Sequence, residues 1–413
     1  MTTKPTWFDT SIESTLLAHQ SPEDEQGYFV YQLDTLKQHL AKLQQQDVIK
    51  LWFAVKANPL SKIIQTLDSE GFDFDVASAG ELAQVLAQGV SPNRILNTGP
   101  AKSKKQLQAF VEQGVSTFVV ESLNQLNWLN EVISQRASNA QELTEKPTVL
   151  LRVQLQWPEG EKNPLGGNSL TPFGLSVQEW QNVQVSDYPQ LNICGLHIFQ
   201  WGNMLSNEKM YSLWGQMVAP LTNLANDIGM ELKILDLGGG LGIDYLDDGN
   251  TLSWQQVITD LAKIKAQAGV TELWLELGRF AVAECGYYVV PVIDKKMNYE
   301  QEQLVLAAGI NHIIRPAITE QPFPVALLRQ SKASSQAFDL HGPLCTSMDK
   351  LGHLLLPKDT DVGDKLIFGY CGAYGFTESM PFFLCHELAA EYVIENGKLV
   401  EVRAAKPATS YLA

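Results

Sequence analysis

Residues 51–59 read LWFAVKANP, from Leu51 to Pro59. The apolar run Leu51, Trp52, Phe53, Ala54, Val55 has the pattern of a strand buried on both faces, as in a parallel sheet. The last position before the turn residues Asn58 and Pro59 is Lys56, and lysine is a poor core residue. Two readings are open from this segment alone. Lys56 is a strand-end lysine whose stem snorkels toward solvent, or it is an amine at the mouth of a parallel barrel, partly withdrawn from water and able to condense with a carbonyl as a Schiff base.

From Leu51 a rhythm begins in which short β-branched or aromatic runs alternate with stretches of helical period. The runs are Leu51 to Val55, Phe72 to Ala77, Arg94 to Asn97, Thr117 to Val120, Val149 to Val153, Ile193 to Ile198, Leu232 to Leu237 and Leu273 to Leu275. Eight strands, each followed by a helix-like segment, form the pattern of an α/β chain closed into a (β/α)8 TIM barrel, with an open doubly wound sheet as the competitor. The gaps from Val153 to Ile193 and from Ile198 to Leu232 are longer than a connection needs, which assigns them active-site loops. One of them contains NPLGGNSLTPFGLS, turn-rich and read as a loop over the barrel mouth.

After Cys285 the helical period fades. Tyr287 to Val292, Gln303 to Ala307, Gln336 to Leu340, Lys365 to Gly369 and Tyr392 to Ile394 read as strands with turn punctuation, hence a separate β domain. Upstream of the barrel lie a polar lead, a short extended piece from Tyr28 to Tyr31 and an amphipathic stretch from Leu33 to Gln46. The division expected is a segment 1–46 packing on the β domain, a barrel over 47–284 and a β-rich domain over 285–413. The chain carries neither low-complexity sequence nor an internal repeat.

At 413 residues, 45% hydrophobic and 18% charged, the chain is long enough for one barrel with an appendage. A formal net charge of -16 argues against nucleic-acid or anionic-membrane partners. Without a basic-then-apolar leader or a run long enough to span a bilayer, a cytoplasmic location is expected. The cysteines Cys194, Cys285, Cys345, Cys371 and Cys385 are odd in number and widely spaced. Neither a disulfide framework nor a metal site is expected from them.

In a barrel the C-terminal strand ends carry the chemistry. Here those positions hold Lys56, Ser78, Arg152, His197, the glycines Gly238, Gly239 and Gly240, and Glu276 with Arg279. Consecutive glycines in LDLGGGLG let backbone N–H groups approach an anion without Cβ interference, and the usual barrel phosphate site lies after strands seven and eight. A carboxylate such as Glu276 held against a pyridine nitrogen keeps it protonated and turns the ring into an electron sink. His197 is open to two readings, a satisfied rim histidine or an imidazole stacked on a flat cofactor.

AVKAN with Lys56, FDVASAGEL (Phe74 to Leu82), GPAKS (Gly99 to Ser103), LHI with His197, LDLGGGLG, ELGR (Glu276 to Arg279), HGPLCTSMD (His341 to Asp349) and GAYGF (Gly372 to Phe376) occur in that order. Together they resemble the fold-type III pyridoxal-phosphate decarboxylases, the diaminopimelate and ornithine decarboxylase family, and most of all its siderophore and natural-product members. The resemblance runs from about Leu51 to the C-terminus. It implies an alanine racemase-like barrel plus a β domain, pyridoxal 5'-phosphate as cofactor, and a homodimer with shared active sites acting on an amino-acid substrate. It makes Lys56 the Schiff-base lysine and His197 the ring-stacking residue. Gly238, Gly239, Gly240, Gly278 and Arg279 would cradle the phosphate, Glu276 would hold the pyridine nitrogen, and Tyr374 would reach phosphate or substrate. Cys345 would enter the partner's site and protonate the carbon that carbon dioxide leaves.

Several departures from the family pattern narrow the substrate. Leu277 stands in ELGR where the family has proline, and Gln200 followed by Trp201 stands where a serine is common. After the cysteine, diaminopimelate decarboxylase has Glu and ornithine decarboxylase Asp, each meeting a substrate amino group; here the residue is Thr346. A buried ammonium without that partner would cost on the order of 3 kcal/mol. IIRPAIT (Ile313 to Thr319) resembles the family's RPALY, whose arginine receives a distal carboxylate; Arg315 is kept and the tyrosine is Thr319. These features imply decarboxylation of a carboxylate-rich, citryl-type amino-acid conjugate in siderophore biosynthesis. The alternatives are diaminopimelate decarboxylation in lysine biosynthesis, a carrier-linked amino acid, and an amino-acid racemase, which would need a second base in place of the GPLC cysteine. A catalytically silent cofactor-binding relative would be expected to have lost Lys56 or Cys345, and both are present.

Overall fold

The computed structural model describes residues 5–19, 26–138, 145–157, 162–163, 166–167 and 171–412. They form two compact units, one of Leu40–Ile243 with Thr251–Gly278 and one of Met1–His39, Asp244–Asn250 and Arg279–Ala413.

The first unit is a closed barrel. Its strands run, in order, Lys50–Ala54, Asp73–Val76, Ile95–Asn97, Thr117–Val120, Thr148–Arg152, Asn192–His197, Ile234–Asp236 and Glu272–Leu277. The last pairs in parallel with the first, Leu275 opposite Leu51, which excludes the open sheet. The eight runs read from the sequence are these eight strands, each within two residues at either end. The strands fill the interior themselves: Trp52, Leu96, Val119, Leu150, Cys194, Ile234 and Trp274 make one buried cluster. Cys194 is thus a small apolar core residue.

Several family-like motifs turn out to begin helices. Ser78 caps Ala79–Leu86 by accepting the Glu81 N–H at 3.1 Å, while the Glu81 carboxylate accepts the Ala77 N–H at 2.6 Å. This reciprocal cap fixes the exit from the second strand. Ser78 stands just past the strand end and serves there as the helix cap. Ser103 of GPAKS caps Lys104–Glu112 in the same way. The gap after Ile198 is also mostly helix: Asn207–Asp227 fills it, leaving a short connection before it. Of NPLGGNSLTPFGLS, much lies outside the described residues; its end, Thr171 to Ser176, returns to the barrel, where Leu175 N–H donates to the Arg152 carbonyl at 3.1 Å.

In the second unit, the sheet order is Lys350–Pro357, Ser335–His341, Gln301–Leu306, Gly286–Asn298, Tyr28–Gln32, Ala390–Glu395, Lys398–Arg403. Lys365–Phe368 pairs with Gly286–Asn298 and with Val325–Leu327. Tyr28–Gln32 is buried throughout and lies antiparallel to Gly286–Asn298 and parallel to Ala390–Glu395. Trp7, Phe8, Ile12 and Leu16 pack with Tyr28, Val30, Tyr287 and Val289 in its core. Lys350–Pro357 and Lys398–Arg403, not anticipated from the sequence, are partly exposed outer strands, on which even Leu355 and Val400 face solvent. Among the described residues, no helix is long and apolar enough to cross a membrane.

Candidate active site

The first barrel strand ends at Ala54, and Lys56 sits two residues beyond, in the tight turn Val55–Ala57. That turn is fixed by Asn58, whose N–H donates to the Val55 carbonyl and whose side chain accepts the Leu60 N–H. The Lys56 side chain is half exposed, and its Nζ lies 3.9 Å from Asp75 Oδ2. Asp75 itself is buried at the end of the second strand, accepting the Thr98 hydroxyl at 2.5 Å. Sequence reasoning missed Asp75. The signal was an acid held between the apolar residues Phe74 and Val76 at the C-terminal end of the strand Asp73–Val76.

His197, Asp236 and Glu276 converge inside the barrel from the sixth, seventh and eighth strands. All three are buried, and their donor atoms lie within 4.8 Å of one another. His197 Nε2 and Glu276 Oε1 are hydrogen-bonded at 3.1 Å. Asp236 Oδ1 accepts the Gly238 N–H at 2.8 Å. His197 Nδ1 and Asp236 Oδ2 are buried with no hydrogen-bond partner among the described residues.

Three buried carboxyl groups so close cannot all ionise cheaply. Burial and the Glu276 charge push Asp75 up to about 7, against the pull of Lys56 and Thr98. Burial and Glu276 also raise Asp236 well above the carboxylate range. For Glu276, burial acts in the same direction but is outweighed by the charge and hydrogen bond of His197, then by Lys56 and Arg152, so its carboxyl is held well below the usual range. Glu276 is the acid that stays ionised. Two further buried cations adjoin this set. Arg152 Nη1 donates to Glu121 Oε1 at 3.0 Å, and Lys102 donates to the Val119 carbonyl at 2.6 Å, burial pushing its amine down to about 8.

The glycines after the seventh strand fold the chain back onto its neighbours. Gly238 and Gly240 have φ of +64° and +104°, a region that favours glycine. A Cβ on Gly239 would stand 2.3 Å from the Glu276 carbonyl oxygen, and one on Gly240 would stand 2.5 Å from that of Trp201. Gly278 follows the eighth strand directly, and Leu277 before it is buried in the barrel ladder opposite Phe53. Gln200 is buried and braces the end of the sixth-strand region. Its amide accepts the Leu155 N–H at 3.0 Å and donates to the Leu155 carbonyl at 2.7 Å. A side chain occupied in this way substitutes scaffolding for the hydrogen bond a serine would offer there.

The second unit carries the remaining expected residues. Arg279 Nη1 donates to the Tyr245 hydroxyl, and its guanidinium lies 4.8 Å from the Tyr374 ring centroid. Arg315 lies 4.6 Å from the same ring. Tyr374 holds a φ of +54°, uncommon for a bulky residue. No carboxylate among the described residues pairs with Arg279. The Arg315 fork, by contrast, is filled by Glu378, at 3.0 Å from Nε and 2.9 Å from Nη2. Sequence reasoning missed Glu378, and no local motif marks it.

Cys345 is exposed on a loop organised by Asp349. That buried carboxylate accepts the N–H groups of Ile310 and Leu344, each at 2.8 Å, and Gly309 and Gly342 leave it room. Thr346 accepts the Met348 N–H at 3.3 Å through its hydroxyl, so it serves the loop's own turn. Thr319 donates its hydroxyl to the Arg315 carbonyl, closing the short helix Arg315–Thr319.

A half-exposed lysine amine, an ionised buried carboxylate, a flat imidazole beside it and a left-handed glycine turn are the donor set that pyridoxal phosphate requires, and the barrel holds all four. Residues 33–283 match the family described as pyridoxal-dependent decarboxylase, pyridoxal binding domain. The chain belongs to that family and is a pyridoxal-phosphate-dependent decarboxylase of the fold-type III class. Over 374 residues it is 28% identical to 2-[(L-alanin-3-ylcarbamoyl)methyl]-2-hydroxybutanedioate decarboxylase of Staphylococcus aureus, spanning 87% of this chain and 92% of that one. It is 29% identical to diaminopimelate decarboxylase of Pseudomonas aeruginosa over 359 residues, 85% of this chain and 82% of that one. The crystal structure of diaminopimelate decarboxylase from Helicobacter pylori complexed with L-lysine superposes with a TM-score of 0.83, covering 96% of this chain and 97% of that one at 20% identity. That last likeness concerns the fold.

Proposed function

We propose that this protein is a cytoplasmic enzyme that decarboxylates an amino acid whose far end is rich in carboxylates, a citryl-type conjugate of siderophore biosynthesis. The observation that carries the reading is the pair of guanidinium groups, Arg279 and Arg315, gathered on the Tyr374 ring, of which Arg315 alone pairs with a carboxylate among the described residues. Such a set favours an anionic partner. The Staphylococcus aureus relative, named for a citryl-type amide, supports it, as does Thr346 where the amine-binding relatives carry an acid.

In this reading Lys56 would hold the cofactor, Glu276 would fix its pyridine nitrogen, His197 would serve its ring, and Gly238, Gly239, Gly240, Gly278 and Arg279 would receive the phosphate, with Tyr374 for phosphate or substrate. Pyridoxal phosphate supplies an electron sink for the electron pair left when carbon dioxide departs. The Glu276 carboxyl, held below the usual range by His197, would keep a proton on that pyridine nitrogen. Asp75 Oδ2, 3.9 Å from Lys56 Nζ, sets a carboxyl group beside the amine. Cys345, offered across a homodimer interface, returns a proton to the carbon that lost carboxylate. Support for that interface comes from Met348, Phe382, Phe383 and Leu384, large apolar residues left exposed in this unit.

A second reading, diaminopimelate decarboxylation, is favoured by Glu378, an acid that stands ready for an amine although Thr346 is not one. A carbon dioxide release screen over citryl-linked amino acids, meso-diaminopimelate, ornithine and lysine separates the two. The first reading expects the highest kcat/KM on a citryl conjugate. A higher value for meso-diaminopimelate would overturn it.

A further inference from the structure

The helix Arg315–Thr319 and the turn Phe376–Glu378 are locked together. Glu378 grips the guanidinium through two hydrogen bonds. Ser379 accepts the Ile314 N–H at 3.2 Å while donating to the Gly375 carbonyl at 3.0 Å, and the Met380 N–H reaches the Ile310 carbonyl at 3.0 Å. Neither side chain is sealed: Arg315 is 21% and Glu378 35% exposed. A guanidinium has five N–H groups, and Glu378 uses one on Nε and one on Nη2, leaving both on Nη1 and one on Nη2. Each Glu378 oxygen keeps further acceptor capacity. The pair therefore presents donors and an acceptor side by side.

We propose that Glu378 is a specificity-determining residue. With Arg315 it receives a distal carboxylate that carries a hydrogen-bond donor on the adjacent carbon, an α-hydroxy- or α-amino-carboxylate. The carboxylate takes the open N–H groups of Arg315, and the neighbouring hydroxyl or ammonium donates to Glu378. A plain carboxylate gains the same guanidinium contacts but brings its charge beside Glu378 with nothing to offer that acid, so the site discriminates by an unanswered repulsion. This inference rests on Arg315 as the receptor for the substrate's far end. It also explains why an acid can sit in a site for anions: it selects among them.

The test compares two matched pairs of substrates on the cofactor-loaded enzyme. One pair is the citryl amide of 2,3-diaminopropionate and the same amide lacking the hydroxyl; the other is meso-diaminopimelate and 2-aminopimelate. For whichever pair is turned over, the parent enzyme is expected to show a KM at least about tenfold lower for the member with the donor, the size of one hydrogen bond to a charged group. In Glu378→Leu, and in Glu378→Ala if the former does not fold, that ratio falls to within about twofold of unity. A ratio unchanged by both variants overturns the inference while leaving the function of Arg315 intact. An Arg315→Ala enzyme with parental KM, or turnover of neither pair, overturns the receptor reading beneath it. The pair that is turned over tells a hydroxyl-bearing from an ammonium-bearing substrate.

Discussion

The Lys56 ammonium stands 3.9 Å from an Asp75 carboxyl whose titration lies near 7. Folding thus favours the protonated acid at position 75. With a folded value near 7 and an unfolded value near 3.8, Asp75 leaves stability unimpaired below about 3.8 and costs progressively more as pH rises through 7. In the cofactor-free protein, Asp75→Asn is expected to raise the melting temperature at pH 8 and to change it little at pH 4. A larger gain at pH 4 than at pH 8 would contradict the burial cost assigned to this group.

For Lys56 the expected outcome is spectroscopic. The loaded protein absorbs in the visible as a Schiff base, loses the band on borohydride reduction, and yields the label on the peptide containing Lys56. Label on Lys102, the buried lysine of the same barrel, would transfer the assignment.

Gly239 faces backbone, which cannot move aside as a side chain could. A Cβ there would meet the Glu276 carbonyl at 2.3 Å. Gly239→Ala should destabilise the protein by about 2 kcal/mol and loosen cofactor retention, read by urea unfolding and by dialysis against buffer. Retention at the parental level with parental stability would mean that the turn tolerates what its geometry forbids.

The proposed sharing of active sites between subunits makes a prediction about mixtures. Lys56→Ala and Cys345→Ala, each inactive alone, regain part of the activity when subunits exchange, because one of the mixed sites is intact. If exchange is verified by mass spectrometry and no activity returns, Cys345 acts within its own subunit or not at all.

His312 is buried, bonded to the Tyr288 hydroxyl at 3.0 Å and the Glu387 carbonyl at 2.8 Å, and burial lowers its titration to about 4. The neutral ring belongs to the fold, so stability is full above the unfolded value near 6.5 and is lost as pH falls toward 4. Urea midpoints measured between pH 7 and 4 should fall in the parent and fall less in His312→Asn. Parallel profiles would place the acid sensitivity elsewhere.

The barrel was legible because each strand is an apolar run bounded by turn residues, and eight such runs leave few topologies. The outer strands Lys350–Pro357 and Lys398–Arg403 were not, since apolar residues such as Leu355 and Val400 stand exposed and no regular buried alternation marks either strand. Within the site, Lys56, His197 and Glu276 announced themselves as polar residues at strand ends. Asp75 and Asp236 did not, because an acid near a strand end reads as solvated until burial is known. Gln200 looked like a lost cofactor contact and is a brace. Glu378 is 63 residues from Arg315, and nothing in GAYGFTES says which way it points.

The barrel strands follow one another along the chain, each pairing with the next, so this unit can assemble as it is synthesised. The sheet of the other unit cannot. Its buried strand Tyr28–Gln32 is made before the barrel, yet one of its two neighbours, Ala390–Glu395, is made only after the whole barrel. For most of its synthesis the polypeptide carries an unfinished strand edge of tyrosine, phenylalanine and valine, the kind of edge that pairs with strangers. Production of this enzyme should therefore depend on chaperones that hold the N-terminal strand, and truncations near residue 390 should aggregate while leaving the barrel able to fold.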